Sequence, residues 1–200
     1  MEVKVIAQSL ANWAAISKQS DKLVEYLSQG NSFIYNLPAY AVSSPNIHAY
    51  PAIHNSKLVF LLIPSQYDNE LYAKQISKYV VVCPVGYLVE GGYGSDRIPA
   101  GVAKARMTCW DENYTAWVPK QAASTDGIFM AFSISNEDFE VDNVIINLAL
   151  KANGEEAVPF TADLVVTNRE ASKVYYDDFV TAVPPYGASA ASNSFYLLSL

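Results

Sequence analysis

Two segments in the last third of the chain place apolar residues at every second position, and this rhythm restricts the fold more than any other feature of the sequence. In "GIFMAFSIS", Ile128, Met130, Phe132 and Ile134 oppose Phe129, Ala131 and Ser133. In "NVIINLALK", Val144, Ile146, Leu148 and Leu150 oppose Ile145, Asn147, Ala149 and Lys151. A period of two sends successive side chains to opposite faces of an extended chain, so both segments predict strands with one face toward a core. After a turn signalled by Asn153-Gly154, "ADLVVTN" predicts a third strand, and "KVYYDDFVTAV" predicts either a fourth strand or a short helix.

The first thirty residues follow a different period. Val5, Ile6, Leu10, Trp13 and Ile16 recur near every 3.6 residues, which predicts a helix. Ser20 or Asp21 can cap a second helical stretch that Gly30 ends, so the pattern allows either two helices or one bent helix. Pro38, Pro45 and Pro51 then exclude helix and predict extended chain, turns or an edge strand, because proline fixes φ and donates no hydrogen bond. "KLVFLLIP" predicts a strand buried on both faces. A short helix capped by Asp68 or Asn69 follows, with Leu71, Tyr72, Ile76 and Tyr79 on one side, and then the strand "YVVVCP". Residues 86–101 hold five of the nine glycines and predict a loop or wide hairpin. From Pro99 to Trp117 the residues allow a helix, or a strand and turn.

Helices early and antiparallel strands late predict an α+β fold whose sheet is dominated by the C-terminal half. A β-sandwich with a helical N-terminal decoration is the alternative. No compositional linker divides the chain, so residues 1–200 form one expected domain.

Composition excludes several classes of function. A chain of 200 residues that is 51% hydrophobic and 16% charged is globular, and it can bury roughly 70% of its unfolded surface without a metal or disulfide staple. Cys83 and Cys109 form no C-x-x-C pair and read as small core residues. No apolar run approaches the ~18 residues of a membrane span, so no membrane partner is expected. Glu2, Gln8 and Asn12 spoil a signal peptide, and the expected location is cytoplasmic. The net charge of −7 is uneven: residues 121–200 carry three Lys/Arg against eleven Asp/Glu. That half repels phosphate, and no basic patch attracts it, so no nucleic-acid partner is expected.

Four stretches could carry chemistry. "NIHAYPAIHN" holds both histidines, with Tyr50 between His48 and His54. Six extended residues span roughly 20 Å, so the imidazoles share a ligand only if the chain doubles back at Tyr50-Pro51. On a straight edge strand, Ile47, Ala49, Pro51 and Ile53 face inward and His48, Tyr50 and His54 face outward. The glycine stretch "EGGYGSDR" fits neither a phosphate loop nor a dinucleotide loop, but Glu90, Tyr93, Asp96 and Arg97 could line a ligand cleft. Asp138, Glu140 and Asp142 alternate like the first ligands of a calcium loop, although Asn143 and Ala149 replace the required glycine and glutamate. The chain ends on Phe195, Tyr196, Leu197, Leu198, Ser199 and Leu200, an apolar segment that must pack on its own sheet or add as a strand to a neighbour.

There is no nucleophile elbow, and no pattern calls for a cofactor. Many aromatics and few charges favour a non-catalytic interaction or assembly module, homo-oligomeric or bound to a protein partner through sheet edges or the C-terminal segment. A small-ligand or carbohydrate binder is the second expectation. A carboxylate-dependent hydrolase, pairing Glu90 or Asp96 with Asp111 or Glu112, is the third.

Overall fold

The computed structural model describes residues 1–88, 98–170, 173–183 and 195–200. The fold is α+β. The chain opens with two helices, α1 (Val3–Ile16) and α2 (Ser20–Leu27), separated by a turn in which the Gln19 amide donates to the Ile16 carbonyl. Four strands follow: β1 (Ser32–Asn36), β2 (Asn46–His54), β3 (Lys57–Pro64) and β4 (Val81–Pro84). Helix α3 (Ala100–Ala123) separates them from β5 (Ala131–Ser135), β6 (Asn143–Ala152), β7 (Phe160–Arg169), β8 (Val174–Asp177) and β9 (Val180–Val183).

The strands form two antiparallel sheets, ordered β1-β6-β7-β8 and β4-β3-β2-β5-β9. Each sheet mixes strands from before and after α3, since β1 pairs with β6 and β2 with β5. The two sheets enclose the main core. Phe33 and Tyr35 of β1 and the even residues Val144, Ile146, Leu148 and Leu150 of β6 meet Ile47, Phe60, Leu62, Phe132 and Ile134 of the other sheet. Thus the sandwich alternative describes the inner layers, and the helices cover their outer faces and sides. On the outside of the five-stranded sheet, Ile6 and Leu10 of α1 pack on Tyr50, Leu61 and Ile63. On the outside of the four-stranded sheet, Ala103 and Met107 of α3 pack on Ala149, Val165 and Tyr176. No helix among the described residues is long and apolar enough to cross a membrane.

Several local expectations change. β2 is not an edge strand: it lies in the middle of its sheet, between β3 and β5. Pro51 is tolerated there for a geometric reason. The two-residue turn Asn55-Ser56, both at positive φ (49° and 59°), closes the β2–β3 hairpin at the pair His54 and Lys57. Narrow and wide pairs alternate from that point, so the position of Pro51 opposite Phe60 directs its nitrogen away from β3. The β5 pairing has already ended at Ala49, so no ladder bond is lost. The helix expected after Asp68 is two separate 3-10 turns, Glu70–Tyr72 and Ile76–Lys78, the first of them capped by Asn69, whose side chain accepts from the Leu71 amide. "KVYYDDFVTAV" becomes two strands on the edges of different sheets. Finally, α3 is longer than expected and runs through Pro119, with Trp110, Trp117 and Val118 turned into the main core.

Candidate functional site

The strand β2 sorts the histidine stretch by parity. Ile47, Ala49 and Ile53 enter the main core, while Tyr50 and Ala52 face the outer layer. The parity matches the sequence reading, but the outer face is covered: His48 is 3% exposed and Tyr50 is 0% exposed. β2 runs straight through Tyr50-Pro51, so the imidazoles do not converge. His54 lies near α1, with Nδ1 3.4 Å from Ser9 Oγ and Nε2 3.1 Å from Asn55 Nδ2.

His48 and Tyr50 instead meet Asp68, a residue read from the sequence only as a helix cap. The Asp68 carboxylate is buried and gathers three groups. Its Oδ2 lies 2.7 Å from His48 Nδ1 and also accepts the Tyr50 hydroxyl. Its Oδ1 accepts the Leu197 amide at 3.0 Å. Phe195 stacks on the His48 ring with centroids 4.1 Å apart and meets the Tyr50 ring edge-on at 6.0 Å. Burial, strengthened by the neighbouring Asp68 carboxylate, raises the Tyr50 hydroxyl well above its ordinary pKa and keeps it a donor. A dyad of histidine and aspartate resembles half of a hydrolytic triad, but a general base must reach the proton it takes. Here Phe195 and Leu197 seal it, and Tyr50 is bonded to the aspartate rather than aligned on the imidazole.

The terminal segment is therefore not a strand. It forms one 3-10 turn (Tyr196–Ser199) on its own chain; Phe195 and Leu197 are buried, Tyr196 is half-buried, and Leu198 and Leu200 are exposed.

The acidic stretch does not gather into a cation site. Asp138 points inward with no exposed surface, while Glu140 and Asp142 are exposed. The buried Asn168 holds this loop: its Oδ1 accepts the amides of Glu140 and Val141, and its Nδ2 donates to the Asp138 carbonyl. No group of three His, Cys, Asp or Glu side chains among the described residues could hold a metal. Glu90, Tyr93, Asp96 and Arg97 lie outside the described residues. Asp111 and Glu112, their expected acid/base partners, are exposed on α3, and Asp111 accepts from Asn31. The cysteines are poor nucleophiles. Burial pushes the Cys83 thiol up to about 12, and burial also raises Cys109.

Sequence reasoning missed two other features. The first is a buried ion cluster: Arg106 of α3 bonds Asp163 of β7 at 3.1 Å and also Asp178. Burial pushes the Asp163 carboxyl up to about 6 against the pull of Arg106, and Asp178 adds to the rise.

The second is an open cleft of about 460 Å³ between the end of α3, the 124–127 turn and the 152–160 turn. Trp117 and Phe129 form its floor, and Gln121, Ser124, Thr125, Asp126, Asn153 and Glu155 reach its wall. The wall is held by its own hydrogen bonds. Gln121 Nε2 donates to the Gly127 carbonyl at 2.6 Å and Asn153 Nδ2 to the Val158 carbonyl at 2.9 Å. Trp117 is fixed from below, since its indole N–H donates to the Phe160 carbonyl at 2.8 Å. Among the described residues, Asp126 and Glu155 are the only charged ones on this lining, which makes it acidic. A smaller recess of about 190 Å³ lies on the other side of Trp117, beside Asn113, Lys120 and Pro159.

No family model, no curated protein and no solved structure matches this chain.

Proposed function

We propose that this protein is a non-catalytic interaction module whose binding site is the cleft beside Trp117. The observation that carries this reading is the chemistry of the lining. Aromatic rings form the floor, side-chain amides, hydroxyls and carboxylates form the wall, and no cation among the described residues faces the space. Such a lining suits an uncharged ligand with many hydroxyl groups, an oligosaccharide, because carboxylates and amides accept from and donate to hydroxyls over an apolar floor. The same carboxylates repel phosphate and uronic acid groups. His48, Tyr50 and Asp68 are buried, and none of them lines this cleft.

Calorimetry against neutral hexasaccharides of glucose, xylose and N-acetylglucosamine, with oligogalacturonate as the anionic comparison, tests the reading. A neutral sugar is expected to bind and the uronic acid polymer is not. Binding of the polymer alone would overturn the proposed chemistry.

Self-association is supported by a separate surface. Tyr67 and Tyr79 stack at 3.9 Å, and Tyr40 and Tyr72 pack edge-on against them beside Leu71, which is 90% exposed. Aromatic clusters with an exposed apolar neighbour are the composition of protein interfaces. The sheet edges offer less, since β1, β4, β8 and β9 are four or five residues long.

A further inference from the structure

We propose that the C-terminal segment, residues 195–200, is a detachable latch filling a peptide-recognition groove on the outer face of the five-stranded sheet, and that a peptide with the same Phe-x-Leu pair can take its place. The division of labour on Asp68 points to this. One carboxylate oxygen, Oδ2, is used entirely within the folded domain, by His48 and Tyr50. The other, Oδ1, accepts a backbone amide from the segment at Leu197. Short peptides dock through a few apolar anchors seated in a groove. Here the anchors are Phe195 and Leu197, presented from the start of one 3-10 turn: Phe195 lies on the His48 ring, both are buried against the α1 side of the sheet, and the Leu197 amide fixes their register on Asp68.

The segment is also locally self-contained. Among the described residues its remaining hydrogen bonds close within itself: the Leu198 amide donates to the Phe195 carbonyl, the Leu200 amide to the Leu197 carbonyl, and Ser199 Oγ to the Tyr196 carbonyl. Among the described residues it joins no strand of either sheet. Among the described residues, departure therefore breaks the Leu197–Asp68 hydrogen bond and the packing of Phe195, Tyr196 and Leu197, and leaves the hydrogen bonds of Asp68 to His48 and Tyr50 in place. Residues 184–194 connect it to β9, and eleven residues can span at most about 40 Å, so a second copy's segment competes with a tethered one.

Two measurements on the full chain test the proposal. The first is native-state hydrogen exchange of the unmodified protein. The Leu197 amide is expected to exchange at least 100-fold faster, relative to its intrinsic rate, than the β3 amides of Leu61 and Ile63. Equal protection would make the segment an integral part of the fold and overturn the proposal. The second uses the full-length variant Phe195→Ala/Leu197→Ala, in which the groove is vacated. An acetylated peptide of sequence FYLLSL is expected to bind it one-to-one and to shift the His48 ring resonances. The same peptide carrying Phe195→Ala is expected to bind at least tenfold more weakly, as is the original peptide to a variant that also carries Asp68→Asn. Failure of FYLLSL to bind the vacated, folded variant would overturn recognition in trans.

Discussion

Asp68 ties two parts of the outer layer together, strand β2 through His48 and Tyr50 and the terminal turn through the Leu197 amide. Removing one member of a buried polar set leaves the others unsatisfied, which costs more than the set contributes when intact. Asp68→Ala is expected to lower the unfolding free energy by about 3–5 kcal/mol, and Asp68→Asn, which keeps an acceptor, by roughly 1–3 kcal/mol. Urea denaturation measures both, and a loss below 1 kcal/mol for Asp68→Ala would show that the network is not holding the layer. Asp163 behaves in the opposite sense. Its folded pKa is raised from an ordinary 3.8 to about 6, so its contribution is fully present below about pH 4 and is lost as pH rises through 6. At neutral pH the ionised carboxylate is a burden that Arg106 only partly offsets. Asp163→Asn is therefore expected to gain stability relative to the unmodified chain between pH 4 and pH 7, by roughly 2–3 kcal/mol. Paired denaturation curves at the two pH values check this, and a constant difference would contradict the assigned cause. At this scale little was legible in the sequence. His48 and Tyr50 stood out because they are rare or bulky residues in one strand. Asp68 did not, since its role depends on a contact across twenty residues that no local pattern encodes.

Secondary structure was far more legible, because periodicity reports burial directly. The 3.6 pattern in residues 3–27 and the alternation in β5 and β6 correspond to helices and strands near the expected places. Pro51 suggests an edge position for β2, because the register that makes a central proline harmless is not visible in the sequence. The apolar spacing of residues 68–80 is compatible with a helix, but the stretch folds as single turns over the tyrosine cluster. Two substitutions test the backbone reasoning. Ser56 sits at φ 59° in the β2–β3 turn, a conformation that glycine adopts without steric cost. Ser56→Gly is expected to raise stability by about 0.5–1 kcal/mol, measured as a shift of the thermal midpoint. Gly30 does not end α2, which stops at Leu27; it is needed because a Cβ there would lie 2.4 Å from the backbone of Gly86. That approach lets the Asn31 and Ser32 amides both donate to the Gly86 carbonyl at 3.1 Å. Gly30→Ala must push the two backbones apart, and a loss of about 1–3 kcal/mol is expected, with no loss contradicting the contact.

On the scale of the whole molecule, the arrangement separates two kinds of surface. One side of the five-stranded sheet hides a finished polar network beneath the chain's own end. The far end of α3 and the 152–160 turn leave an acidic, aromatic-floored space open. Composition pointed toward binding over catalysis, yet it could not locate the cleft. Trp117 and Asn153 are brought together by the packing of α3 on the β6–β7 hairpin, and neither carries a local signal of its partner. The central claim is that this open cleft is where the ligand sits. The most direct test is a titration of the isotopically labelled full chain with a neutral hexasaccharide, followed by amide and indole NMR shifts. Saturable shifts should concentrate on the Trp117 indole, Gln121, Asp126 and Asn153, and should weaken at least tenfold in Thr125→Ala/Asp126→Ala, two exposed residues on the cleft wall. Saturable shifts mapping away from this cleft, or no saturable shift with any neutral sugar, would contradict the account.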